Sequence, residues 1–147
     1  MTSLSTFHKL LDLKEQDKHV AQKNYQDSMD QFEDVATRLY QLLKKKENAE
    51  AYYEAEVQKG LSITALHSHH AYIEQLSQQI EEVQQVVQEA RNNMNDKQGM
   101  LSESHIEYKK YELLINRKVE QQQIKVQTFE KQMMDEISVQ QYINQGN

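Results

Sequence analysis

The sequence predicts an all-α fold, a long antiparallel two-helix coiled-coil hairpin with a C-terminal single-helix overhang. Three observations predict it. The 147 residues contain no Pro and only three glycines, so almost nothing interrupts a helix. Hydrophobic residues make up 37% and charged residues 27%, with 21 glutamines, which supplies one thin apolar seam and no thick globular core. Two long apolar stripes at coiled-coil spacing are separated by a single turn signal.

The first stripe runs through Phe7, Leu11, Lys14, Lys18, Ala21, Tyr25, Ser28, Phe32, Val35, Leu39, Leu42, Lys46, Ala49, Tyr53 and Glu56. Ten of these fifteen positions are apolar or aromatic, which makes residues 4–58 one helix with polar outer faces. Gly60 then stands where a helix end wants a residue free to take positive φ, and Ser62 offers an oxygen to cap a second helix. The chain is expected to turn over residues 59–62 and to continue as a second helix over 63–141, with a tail at 142–147 that ends in the polar Asn144-Gln145-Gly146-Asn147.

The second stripe runs through Leu66, His69, Ile73, Leu76, Ile80, Val83, Val87, Ala90, Met94, Lys97, Leu101, Ser104, Tyr108, Tyr111 and Ile115, twelve of fifteen apolar or aromatic. A short turn makes the helices antiparallel neighbours, so facing residues have numbers with a constant sum. A sum of 122 pairs Leu42 with Ile80, Leu39 with Val83, Val35 with Val87, Phe32 with Ala90, Leu11 with Tyr111 and Phe7 with Ile115. In the middle layers large side chains meet small ones, as knobs-into-holes packing requires.

The same register exposes weak layers: Lys46 opposite Leu76, Tyr53 opposite His69, Lys18 opposite Ser104 and Tyr25 opposite Lys97. Such polar layers fix register at some cost in stability. The run Asn92, Asn93, Asn95, Asp96 and Gly99 is a poor helix former, and a turn there would fold the chain as three helices. The unbroken stripe through Ala90, Met94 and Leu101 favours continuity and a single elongated domain over 1–147.

By the 122 register Leu4 meets Lys118, so the hairpin has no partner beyond about residue 118. Yet Val119, Val126, Phe129, Met133 and Ile137 continue an apolar face after a stutter through Ile115. At ~1.5 Å per residue this overhang would extend about 35 Å past the start of the first helix. An unpaired apolar face of that kind reads as a binding surface.

Several function classes are excluded or disfavoured. The net charge is −6 and Lys44-Lys45-Lys46 is the one basic cluster, which argues against nucleic acid; Glu74 and Glu81 on the facing arm are expected to neutralise part of it. There is no Cys, hence no disulfide frame or thiolate metal site. The opening Met1-Thr2-Ser3-Leu4 leads into no long apolar run, and no stretch nears the ~20 apolar residues that span a bilayer. No Gly-rich phosphate loop, nucleophile elbow or HExxH occurs, and a two-helix seam has no pocket to shift a carboxylate pKa. No catalysis, cofactor or metal is expected. His67, His69 and His70 have metal-ligand residue types but no Cys beside them, and read as solvated or seam-edge groups. A binding protein remains: a self-associating scaffold coiled coil, a holder of unfolded chains, or an adaptor between machines.

The opening Phe7-His8-Lys9-Leu10-Leu11-Asp12-Leu13-Lys14-Glu15 resembles the start of the bacterial flagellar type III export protein FliJ family. The overall length, the Gly60-Leu61-Ser62 turn, the segment Tyr72-Ile73 with Leu76, and the ending Met134-Asp135-Glu136-Ile137-Ser138 are similar too, so the resemblance covers essentially the whole chain. It implies a cytoplasmic coiled-coil stalk, peripheral to the inner face of the membrane at the flagellar base. Such a stalk inserts its terminal end into the export ATPase ring, touches the cytoplasmic domain of the export gate protein, and escorts export chaperones. Tyr72 and Leu76 match the gate-binding position; where the family has Tyr-Gln-Gln-Phe this chain reads His69-His70-Ala71-Tyr72, keeping the aromatic. Leu76 faces Lys46 in a weak layer and Tyr72 lies just off the seam, so neither is expected to be fully committed to the core. The overhang residues Val119, Val126, Phe129, Met133 and Ile137 would be the ATPase-binding face.

Overall fold

In the computed structural model, which describes residues 3–146, the chain forms two α-helices, α1 at Leu4–Gln58 and α2 at Ile63–Gln145. The expectations that touch Met1, Thr2 and Asn147 lie outside the described residues. The two helices pack against each other and no strand occurs among the described residues.

Local chemistry accounts for the ends. Ser3 caps α1, its Oγ and its carbonyl both accepting from the Thr6 N–H, at 3.3 and 3.0 Å. At the other end the Lys59 and Gly60 N–H groups close back onto the Glu56 and Val57 carbonyls, each at 3.2 Å. Gly60 sits at φ 80, a conformation that costs an L side chain about 1–2 kcal/mol. Ser62 then starts α2: its Oγ accepts from Ala65 N–H at 3.3 Å and its carbonyl from Leu66 N–H at 3.0 Å. At the far end α2 carries on through Gln145, four residues past the boundary expected at 141.

The helix also runs unbroken through Asn92–Gly99. Packing overrides the poor local propensity, because Ala90, Met94, Lys97 and Leu101 are all partly buried on the inner face while the asparagines point to solvent. None of the thirty seam positions read from the two stripes is exposed. The seam is nonetheless thin: Leu76, Ile80, Val83, Val87 and Ile115 are buried at 4–8% exposure, yet no described side chain falls below 2%.

The chain divides into two compact units, Val20–Ser102 and a second made of Met1–His19 with Glu103–Asn147. The Val20–Ser102 unit holds the aliphatic core of Leu76, Ile80, Val83 and Val87, each side chain contributing roughly 1.5–3 kcal/mol when fully buried. Ser28 is buried at 3% in this unit and satisfies its hydroxyl by donating to the Tyr25 carbonyl at 2.6 Å. The other unit is held differently. Ile115 is its buried aliphatic, and Lys14, Lys18 and Lys118 lie over the rings of Tyr111, Tyr108 and Phe7 at 5.7, 4.7 and 4.6 Å.

Those contacts explain the weak layers. Lys18 does not face an empty Ser104 layer; it reaches one turn along to the Tyr108 ring, so its stem packs in the seam and its charge meets an aromatic face. In the other unit Arg91 lies 5.6 Å from the Phe32 ring, and Tyr52 rather than Tyr53 meets His69 edge to face at 5.1 Å. Lys46 makes its ion pair along its own helix to Glu50, at 3.8 Å, rather than across to Glu74 or Glu81.

Candidate binding faces near the turn and on the C-terminal helix

Tyr72 and Leu76 stand one turn apart on α2, where helical spacing should bring both to neighbouring positions on one side. Their environments differ sharply. Tyr72 is 49% exposed, whereas Leu76 is 4% exposed and belongs to the core. The expectation that Leu76 is only loosely committed is therefore corrected. Lys46, opposite in the register, is itself partly buried and turns its ammonium along α1 to Glu50 at 3.8 Å, so its charge does not point into the Leu76 layer. A partner approaching here would touch the Tyr72 ring directly and Leu76 only through the packing that supports it. Tyr52, Val57 and Ile63, all more than 40% exposed, add further apolar surface to the same unit.

His67 and His70 are exposed and His69 is half-buried against Tyr52. Among the described residues no group of three or more His, Cys, Asp or Glu side chains is arranged to hold a metal ion.

The second candidate face lies on α2 beyond the hairpin. Val119 is half-buried, because Leu4 from the start of α1 borders a concavity with Val119, Gln122, Gln123, Val126 and Gln127. The contact with α1 thus extends about one turn past Lys118. From Gln121 to Gly146 every described residue is exposed. Val126, Phe129, Met133 and Ile137 are 53, 62, 47 and 47% exposed, so the stripe read from the sequence is present and uncovered in this chain.

Sequence reasoning missed part of this surface. Ile124, Met134, Val139, Tyr142 and Ile143 are also 55–79% exposed and occupy other sides of the same helix. They fit no single stripe, which is why a search for one periodic seam passed over them; the detectable signal was apolar density over 124–143 regardless of phase. Also missed was a shallow groove opposite the seam, lined by Ile106, Lys109, Lys110, Leu113, Leu114 and Arg117. There Ile106 and Leu113 are 65 and 57% exposed.

One titrating group stands out. The Tyr108 phenol is held above its ordinary value, first by its hydrogen bond to Glu112, then by partial desolvation and the negative charges of Glu112 and Glu15. Glu112 also receives Lys109 at 3.3 Å, so Tyr108 joins a small polar cluster on the flank of the seam.

No described helix is long and apolar enough to cross a membrane. The sequence profile of the family described as "Flagellar FliJ protein" matches residues 3–147. A protein named "Flagellar FliJ protein" from Bacillus subtilis (strain 168) is 35% identical over 141 residues, covering 96% of each chain. No solved structure matches significantly.

Proposed function

The chain belongs to the flagellar FliJ protein family, and from that premise we propose that this flagellar export component works as a coiled-coil stalk coupling the export ATPase ring to the export gate, and that it escorts export chaperones. One observation carries the reading. A helix continues well beyond its hairpin partner while exposing Val126, Phe129, Met133 and Ile137 to solvent, a surface with no use inside this chain. An apolar helical face engages a partner by laying its anchors, one turn apart, into an apolar groove. Under this reading the ATPase ring supplies that groove.

The gate contact is assigned to the face around Tyr72, with Leu76 as the buried support beneath it. Both ends of the proposal are binding events. Force or state passes between them through the hydrogen-bonded helices, and the protein acts from the inner face of the membrane without entering the bilayer.

The test is a double substitution on the exposed face, Phe129→Asp with Met133→Asp. Because both side chains are uncovered, helicity and unfolding midpoint should stay within about 0.5 kcal/mol of the parent. Stimulation of the purified export ATPase should fall by about tenfold or more, as loss of one or two aromatic or Met anchors implies. Undiminished stimulation with intact helicity would remove the overhang from the interface.

A further inference from the structure

We infer that two copies of this chain pair through the outer side of α2, antiparallel and centred near Val126. The side in question carries Lys110, Leu113, Arg117 and Ile124 and continues to Asp135, Val139 and Tyr142, all exposed. At about 100° per residue it lies opposite both the seam with α1 and the Val126–Phe129–Met133 stripe. Self-pairing therefore leaves the proposed ATPase face free.

Charge complementarity identifies the occupant. Antiparallel pairing of α2 with a second α2, with residue numbers adding to 252, sets Arg117 against Asp135 of the second copy and Glu120 beside its Lys131. By two-fold symmetry each pair occurs twice, as an isologous interface requires. The same register places Leu113 on Val139, Ile124 beside Thr128 near the dyad, and the Lys110 ammonium over the exposed Tyr142 ring. No two like charges come within one residue of each other in this register.

Neighbouring registers are worse. Sliding one copy by a helical turn in one direction brings Arg117 against Lys131; sliding it the other way sets Arg117 against Val139 and Asp135 against Gln121, so that both ion pairs are lost. None of Arg117, Glu120, Lys131 or Asp135 enters an ion pair among the described residues of the single chain, so all four are free to pair across copies. With few apolar residues on this side, the contact is a weak, salt-sensitive dimer rather than an obligate one.

Sedimentation velocity on the full chain at low salt, from low micromolar to millimolar concentration, should show a monomer–dimer equilibrium that weakens as salt is raised. Arg117→Asp and Asp135→Arg should each weaken it by about tenfold or more, two attractive pairs becoming repulsive in each case. The combined variant, Arg117→Asp with Asp135→Arg, should restore it. Both sites are exposed, and circular dichroism checks that each variant stays helical. A monomer at every concentration, a dimer indifferent to either single reversal, or failure of the double reversal to restore pairing would each overturn the assignment.

Discussion

Leu76→Ala and Tyr72→Ala, made separately, distinguish a support from a contact. Leu76 is 4% exposed, so truncation removes about three carbons from the seam, and at ~0.8 kcal/mol per buried methylene the transfer loss alone is about 2.4 kcal/mol. A two-helix seam is open at its flanks, and the neighbouring Lys46 stem can slump into the gap, which keeps the cavity term small. The expected cost is about 2–3 kcal/mol, the low end for Leu→Ala in cores. Tyr72 is half exposed, and its removal should cost about 0.5 kcal/mol. Urea unfolding followed by far-ultraviolet circular dichroism reads both values. Binding to the purified cytoplasmic domain of the gate protein should then be lost in Tyr72→Ala at full stability. In Leu76→Ala binding should recover once the hairpin is restabilised, for instance by lowering the urea or adding an excluded osmolyte. An unchanged midpoint for Leu76→Ala would refute its placement in the core. Equal destabilisation by the two substitutions would refute the division of roles between them.

Three further outcomes follow from the geometry. Gly60→Ala should destabilise the hairpin by about 1–2 kcal/mol through backbone strain alone, because φ is 80 and no atom lies within 4 Å of the added methyl; an unfolding titration measures it. Lys18→Ala should cost about 0.5–1 kcal/mol and Tyr108→Leu a similar amount, with a double-mutant cycle returning most of it as coupling between the two. The folded-state pKa of the Tyr108 phenol is raised, so its contribution is fully present below the ordinary phenol range and is lost as pH rises through the raised value; the unfolding midpoint of the parent should fall more steeply above about pH 10 than that of Tyr108→Phe.

The hairpin was legible because coiled-coil packing is written in residue spacing. Helices of 55 and 83 residues cannot be held by propensity alone, and the only repeating apolar contacts available to them were the two stripes. Gly60 and Ser62 were legible for the same kind of reason, each being a residue type whose conformation or side-chain oxygen a helix end demands. What the spacing did not carry was the content of the polar layers. A heptad position records which way a side chain starts, not how far it reaches. Lys18 was counted among the weak layers, yet it spans a turn to find a ring, as Lys14 also does, and Lys46 pairs along its own helix with Glu50.

The same limit applies to the candidate site, with a different cause. Periodicity finds faces that are used within one chain, because those faces share a single direction and a single partner. The helix beyond Gln121 has no partner in the chain, so selection on its sides need not follow one stripe, and Phe129, Val139 and Tyr142 point in different directions. Apolar groups on several sides of one helix, each about half exposed or more, fit more than one protein surface closing around it better than a single groove. The distinction is measurable. If the proposed ring encloses this segment, Val139→Asp should reduce ATPase stimulation much as Phe129→Asp does. If the ring holds one face and the second copy another, Phe129→Asp should lower stimulation alone, and Val139→Asp should weaken only self-association, by disturbing the contact with Leu113.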